Sequence, residues 1–361
     1  MRKGTCEELT AKSRISVIIP TYKRADMIGY VLEALQQQSY RDFEVLVVLK
    51  PSGDGTEKLL ESYEEKLTLR TILQKEGYFT DALNLGLKSA EGDIIAFLDD
   101  DAIPQKDWLQ NHLKMYDNSE IGGVAGNVLP IGLKDGFMSV KNGLSQVIPP
   151  VGDFMRSTGR ILWSCPIKGL ENHLVYISRA GMVAWDSSLS LLAWKHVTKS
   201  LLGMGANMSL SSEAIKDFSF PREWILGLAN EQYLGWHVWK KGYSLVFNPT
   251  AVVYHIIHEE HLSRGTTDPK KQILSNIELN LLFYRLYGLE HDISGMYRIT
   301  WFVFNLMDNL KKICMDHKLE RIAQMKAAFS SEFIGVKWLL SRKVHGSYNP
   351  LSDFQKVLGE N

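Results

Sequence analysis

Residues 90–109, AEGDIIAFLDDDAIPQKDWL, decide how the chain is read. IIAFL has no polar position, as expected of a strand buried on both faces in a parallel sheet. Three carboxylates, Asp99, Asp100 and Asp101, follow at once. Neighbouring carboxylates about 5 Å apart repel by a few kcal/mol at an effective dielectric of about 20. One reading is a solvated turn ahead of Pro104, because Asp is common in turns. The other is a missing counter-charge, because Mg²⁺ and Mn²⁺ take carboxylate oxygens together with substrate phosphates. Placement directly after a buried strand favours the cation.

On either side of this stretch, short apolar runs alternate with helical periods, the pattern of a parallel sheet flanked by helices. ISVIIP reads as a first strand stopped by Pro20. Met27, Ile28, Val31, Leu32 and Leu35 then share one helical face. FEVLVVL is a second strand, and KPSGDGT a turn into a helix with Thr56 as its predicted cap. LRTIL, the helical FTDALNLGLKSA and DIIAFL complete the first half. QKDWLQNHLKMY reads as a helix and IGGVAGNVLP as a strand. Residues 131–200 have no clean period and are expected to lie irregularly over one face of the sheet. A second readable block follows: GMGANMSLSSEAI, the helical NEQYLGWHVWKKGY and the strand SLVFNPTAVVYH. Helix formers and aromatics dominate thereafter. Ile299, Phe302, Val303, Leu306, Leu310 and Ile313 form one stripe, expected to pack on the main domain rather than lie on a membrane.

The chain has 361 residues, with 41 Lys and Arg against 41 Asp and Glu. This balance excludes a strong uniform field, and with it nucleic-acid binding as a general role. Cys6, Cys165 and Cys314 are odd in number and without metal-ligand spacing, so the default is a reducing, cytoplasmic compartment. The first residues, MRKGTCEELTAKSR, are polar and lack the apolar core of a signal peptide. Arg285, Asp308 and Lys311 interrupt the most apolar C-terminal stretches before they reach the roughly 20 residues a membrane span needs. No spanning helix is expected.

In open parallel sheets, ligands bind beyond the carboxyl ends of the strands. Thr21, Tyr22, the KPSGDGT turn and the three aspartates all sit at such ends. SVIIPTYKR, GDIIAFLDDDAIPQKDWL and KKGYSLVFNPTAVVYH, in this order and spacing, closely resemble the family 2 glycosyltransferases of the GT-A fold over about residues 14–260. The resemblance implies an α/β fold, a Rossmann-like, mostly parallel sheet flanked by helices. A polar tail (1–13) would precede a domain at 14–265, divided into a nucleotide-sugar-binding half (14–130) and an acceptor-binding half (131–265). A helical extension would occupy 266–361.

It also implies a metal-dependent, inverting transfer of a hexosyl or deoxyhexosyl group from a nucleotide-diphosphate sugar to a hydroxyl acceptor, a glycan or lipid-linked glycan. In such enzymes an Asp-x-Asp motif holds Mg²⁺ or Mn²⁺ against the diphosphate. By resemblance, Asp99 faces the ribose and the metal, Asp101 ligates the metal, and Asp100 lies near the donor sugar. Thr21 lines the base, with Tyr22 and Arg24 beside it at the strand end. His255 completes the metal shell or touches the diphosphate; a structural histidine is the alternative. Inversion needs a base that takes the acceptor proton as it attacks opposite the leaving group. The usual Glu-Asp pair is here Asn230 and Glu231, leaving Glu231 as the candidate base, or as a carboxylate that complements a helix dipole.

The second strand ends in Leu49 and Lys50 where similar proteins carry an Asp for uracil, which argues against uridine. Lys50 would meet a phosphate or another base, or remain a surface lysine. Asp81 faces the donor pocket or is a plain helix residue. HEEHLSRGTTDP, with His258, His261 and Arg264, reads as a closing loop whose Arg264 neutralises the departing diphosphate, or as a charged linker; its histidine spacing fits no common zinc site. Trp163, Trp185, Trp194 and Trp224 could stack on acceptor sugars or fill the core.

Two other readings remain: a non-catalytic sugar-nucleotide binder or scaffold, and a sugar-phosphate nucleotidyltransferase. The second normally has a glycine-rich loop after its first strand, and IIPTYKR has none. The C-terminal helices would give any peripheral membrane contact, at the cytoplasmic face.

Overall fold

The computed structural model describes residues 15–134, 137–140, 164–256, 269–316 and 321–345. Strands β1 (Ile15–Thr21), β2 (Phe43–Leu49), β3 (Leu69–Leu73) and β4 (Ile94–Leu98) are joined by helices α1 (Ala25–Gln36), α2 (Thr56–Glu61) and α3 (Phe79–Ser89). Every residue of β2 and of β4 is buried, which is why β4 reads as an unbroken apolar run and β2 as one broken only by Glu44, whose carboxylate is held by Ser16 and Arg70. β1 continues through Pro20 to Thr21 instead of stopping at the proline. Its pairing with β4 ends at Ile18, so Pro20 lies beyond that ladder, where its missing N–H breaks no bond to β4. Thr56 is the first residue of α2 and not its cap. Gly55 stands at the cap position, and the Asp54 carboxylate before it accepts the Thr56 N–H at 3.2 Å and the Thr56 hydroxyl at 2.7 Å.

β1 pairs in parallel with β2 on one side and with β4 on the other. The chain winds outward to β3 and then returns across β1, so strand order reverses between β1 and β4. A crevice opens at their carboxyl ends by topology alone. Beyond β4 lie the short β5 (Ala102–Pro104), helix α4 (Trp108–Leu113), a 3₁₀ turn (Lys114–Asp117), β6 (Ile121–Lys134) and β7 (Phe137–Val140).

The described part of 131–200 is more ordered than its composition suggests. It holds the hairpin β8 (Val175–Ile177) and β9 (Val183–Trp185), helix α5 (Ser190–Ala193) and β10 (Thr198–Lys199). Ile167, Leu170, Leu174 and Val175 there are fully buried. β11 (Asn207–Ser211) enters antiparallel between β4 and β6, and helix α6 (Asn230–Lys240) leads to β12 (Ser244–Ile256), parallel to β6.

Three helices follow, α7 (Pro269–Leu286), α8 (Gly295–Asp316) and α9 (Arg321–His345). Leu282, Phe283, Tyr284 and Leu286 of α7 belong to the same apolar core as the sheet. α9 lies so close to α7 that a Cβ on Gly335 would meet the Tyr284 ring. The α8 stripe, expected to pack on the domain, is only partly covered: Ile299 is 66% exposed, Val303 and Leu310 are exposed as well, and Phe302, Leu306 and Ile313 are half-buried. Phe302 has a partner, the ring of Phe329 on α9, 5.2 Å away. Among the described residues, no helix is long and apolar enough to cross a membrane.

Candidate functional site

Asp99 follows the buried β4, and its carbonyl accepts the Ala102 N–H at 3.1 Å, closing a turn that throws Asp100 and Asp101 onto the rim. β12 is brought there by an irregular ladder. Asn248 and Val252 face the adjacent Gly126 and Asn127 of β6, so residues 249–251 bulge out. This odd insertion changes which side chains face each side of the sheet. The end of β12 then pairs with β5, with His255 opposite Ala102 and the Ile256 N–H donating to the Asp101 carbonyl at 2.9 Å. His255 Nε2 therefore lies 3.2 Å from Asp101 Oδ1 and 3.7 Å from Asp99 Oδ2. One ligand atom from each of these three residues lies within 4.8 Å of the others.

Asp100 shares the crowding. Burial, then the neighbouring Asp101 and Asp99, push its pKa up to about 8 against the pull of Thr21 and Arg24. Arg24 Nε is 3.9 Å from Asp100, too far for a direct hydrogen bond. Two carboxylates and an imidazole converging beside a carboxyl that burial and its acidic neighbours drive toward neutrality form a donor set that fits a divalent cation.

A second part of the rim lies beyond β1 and β2. The Lys50 N–H donates to the Thr21 carbonyl at 3.0 Å, which fixes Lys50 beside the buried Thr21. Its ammonium donates to the Gly77 carbonyl at 3.0 Å and lies over the rings of Tyr22 and Tyr78, 5.5 and 5.8 Å from their centroids. Gly77 has a φ of +92°, and a Cβ there would sit 2.3 Å from the Asp81 carboxylate. Asp81 accepts the Tyr78 N–H at 2.9 Å and pairs with Arg222 at 2.7 Å, so it caps α3 and ties α3 to a later segment.

Glu231 lies in the first turn of α6, after Ala229 in a left-handed conformation, φ 64°. Asn230 is buried, and its amide nitrogen has no hydrogen-bond partner. The segment leading into α6 is fastened to the first turn of α3: the Thr80 hydroxyl donates to the Trp224 carbonyl at 3.0 Å, and the Phe79 N–H to that of Ile225 at 3.4 Å. Trp224 is fully buried, so it is a core residue and not an acceptor platform. Trp185 and Trp194 are half-buried against the core. Arg264, His258, His261 and Trp163 lie outside the described residues. The sequence reading missed Arg222 and Glu278. Glu278 is a lone acid between core residues of α7, and a charge on an apolar helical face was its one signal.

Known proteins share this fold and resemble the sequence of its first half. Residues 16–165 match the profile "Glycosyl transferase family 2". Over 119 residues the chain is 34% identical to "Glycosyltransferase AglE" of Haloferax volcanii, covering 32% of this chain and 39% of that protein. The chain thus spans well under half of that relative's length. Among solved structures, S. aureus TarS 1-349 superposes with a TM-score of 0.53 at 19% identity, over 90% of this chain and 81% of that one. The mannosyltransferase PcManGT of Pyrobaculum calidifontis, solved with GDP-Man and Mn²⁺, superposes with a TM-score of 0.51 at 18% identity, over 97% and 85%. The chain has the GT-A fold, and its residues 16–165 resemble the family 2 glycosyltransferases.

Proposed function

We propose that this protein moves a sugar from a nucleoside-diphosphate sugar to a hydroxyl acceptor with inversion at the anomeric carbon. The observation that carries the reading is the convergence of Asp99, Asp101 and His255 at the point where strand order reverses, beside a carboxyl driven toward neutrality. Those three residues would hold Mg²⁺ or Mn²⁺. When bound, the cation supplies neutralisation of the departing diphosphate.

The remaining roles belong to the chain. Thr21, Tyr22 and Lys50 line the side of the rim where the nucleotide would rest. Lys50 is a donor fixed between two aromatic rings, and it offers nothing to accept the imide N–H of uracil. This supports a base other than uracil. Arg24, beside Asp100, would meet the sugar diphosphate, and Asp100 the donor sugar. Glu231, at the positive end of a helix, takes the proton from the attacking hydroxyl. Asp81, engaged with Arg222, shapes the pocket wall, and Arg264 is assigned to the departing diphosphate. Of the solved relatives, PcManGT was obtained with GDP-Man and Mn²⁺, in keeping with this reading.

The acceptor is a glycan or lipid-linked glycan. The exposed apolar residues of α8 and α9 support its delivery at a membrane surface, with residues 14–265 as the transfer domain. The direct test is release of nucleotide from GDP-mannose and a panel of UDP-sugars in Mn²⁺, with Asp101→Asn alongside. Metal-dependent release in the wild type alone supports the proposal. Binding without turnover would make the chain a non-catalytic sugar-nucleotide binder.

A further inference from the structure

Glu278 of α7 is fully buried on a face it shares with Ile277, Leu281 and Leu282. Its carboxylate accepts the Leu226 N–H through Oε1 at 2.5 Å and the Leu228 N–H through Oε2 at 3.0 Å. The N–H groups of Ile225 and Gly227 also bear on it, and against these four donors burial still pushes its pKa up to about 8. Its own backbone carbonyl accepts the Trp224 indole N–H at 3.2 Å. A buried carboxylate is expensive, and an apolar residue packs such a position more cheaply. What the acid provides is a shape for the loop.

Gly227 has a φ of +79°, and Ala229 one of +64°. A Cβ on Gly227 would lie 2.4 Å from the Phe79 ring. A turn of this curvature points successive N–H groups to one side, a concavity suited to an anion. The same loop is fastened to α3 through Thr80 and Phe79, next to Tyr78 and Gly77 on the donor side of the rim. Its other end delivers Asn230 and Glu231.

We infer that Glu278 is a positioning residue for the transfer reaction: its carboxylate clasps Ile225–Leu228 so that α6 begins with Glu231 presented to the acceptor. This rests on Glu231 as the base. It makes α7 part of the active site rather than an appendage. Positioning errors of about 1 Å reduce turnover by up to about a hundredfold, whereas binding contacts away from the displaced group persist.

The test uses the full chain and Glu278→Gln, which places a donor amide against donor N–H groups. Amide hydrogen exchange is followed alongside release of nucleotide from GDP-mannose and the UDP-sugar panel in Mn²⁺. Expected are faster exchange at Leu226, Leu228 and the first turn of α6, and turnover lowered by about tenfold to a hundredfold. Donor KM and the affinity for Mn²⁺ with GDP or UDP stay within about twofold. Should that variant not fold, Glu278→Asp, which keeps the carboxyl and gives up one methylene of reach, is read in its place against the same expectations. Unchanged exchange and turnover in a folded variant would overturn the inference. So would a fall in turnover matched by equal loss of nucleotide affinity and melting temperature, the mark of a merely structural residue. A wild type that releases no nucleotide while the variant still loosens the loop would refute the transfer reading and the clasp's catalytic role, and leave the clasp as a structural contact.

Discussion

At the rim Asp99, Asp101 and His255 bring two carboxylates and an imidazole together, a donor set that suits a divalent cation. Asp99 and Asp101 bracket His255 Nε2 at 3.7 and 3.2 Å, and Asp100 is pushed up to about 8 by burial and its two acidic neighbours. Asp101→Asn removes one anionic ligand and some of the repulsion. It is expected to lower Mn²⁺ affinity and turnover by about a hundredfold or more, since even outer partners of metal ligands are worth about ten- to a hundredfold. Its melting temperature should hold within a few degrees, as calorimetry and Mn²⁺ titration would show. Glu231→Gln keeps size and loses the proposed base: turnover should fall by about a hundredfold to ten-thousandfold with Mn²⁺–nucleotide binding unchanged. Normal turnover would move the base to another residue. The aspartates were legible in the sequence because a triple carboxylate after IIAFL has few bland explanations. Glu278 was not, because one acid on an apolar helical face declares its burial but not the loop it will hold.

Elements were legible in proportion to how locally they are determined. β2 and β4 could be read from short, almost wholly apolar runs, and α1 from its buried Ile28, Val31, Leu32 and Leu35. The antiparallel entry of β11, the bulge at 249–251 and the β8–β9 hairpin could not, because partners far away in sequence fix them. β11 shows the mechanism. Asn207 Oδ1 accepts the Trp108 indole N–H at 2.8 Å and faces His112 Nε2 at 2.9 Å, while its amide donates to the carbonyls of Asn127 and Ala251. Because Oδ1 can only accept, Nε2 carries the proton, and Nδ1 accepts from the Ser209 hydroxyl 2.8 Å away. One asparagine thus joins α4, β6, β11 and β12 inside the sheet. Burial lowers the His112 pKa from 6.5 to about 4. The folded state resists a proton that the unfolded state takes up, so stability falls as pH drops from 6.5 towards about 4, by about 3 kcal/mol in all. Urea unfolding at pH 7 and pH 4.5 checks this: His112→Gln should lose most of that slope while being less stable at pH 7.

The three C-terminal helices make the chain one body on one side and leave it incomplete on the other. Inward, Arg298 is buried against Glu332 of α9 and the rings of Phe283 and Trp301, and Arg285 of α7 pairs with Glu223. Outward, Met296, Ile299, Val303, Met307 and Leu310 recur every three or four residues along α8, and Phe329, Phe333, Val336 and Leu340 along α9, all exposed. Sequence periodicity announced an amphipathic helix; it carried no information on what would cover the stripe, because the covering surface is not local. Lys311, Lys326 and Lys337 are exposed on the same two helices, so an anionic lipid surface matches both the apolar area and the charge. Wild type is therefore expected to sediment with vesicles containing phosphatidylglycerol, less with purely zwitterionic ones, and less at high salt. Burying a side chain such as Ile or Phe is worth about 1.5–3 kcal/mol. Ile299→Glu with Phe333→Glu should accordingly lower vesicle affinity at least about tenfold while leaving nucleotide release from a soluble donor unchanged. A wild type that ignores vesicles but elutes at twice its mass, and returns to monomer in the same double variant, would assign the stripe to a second copy of the chain.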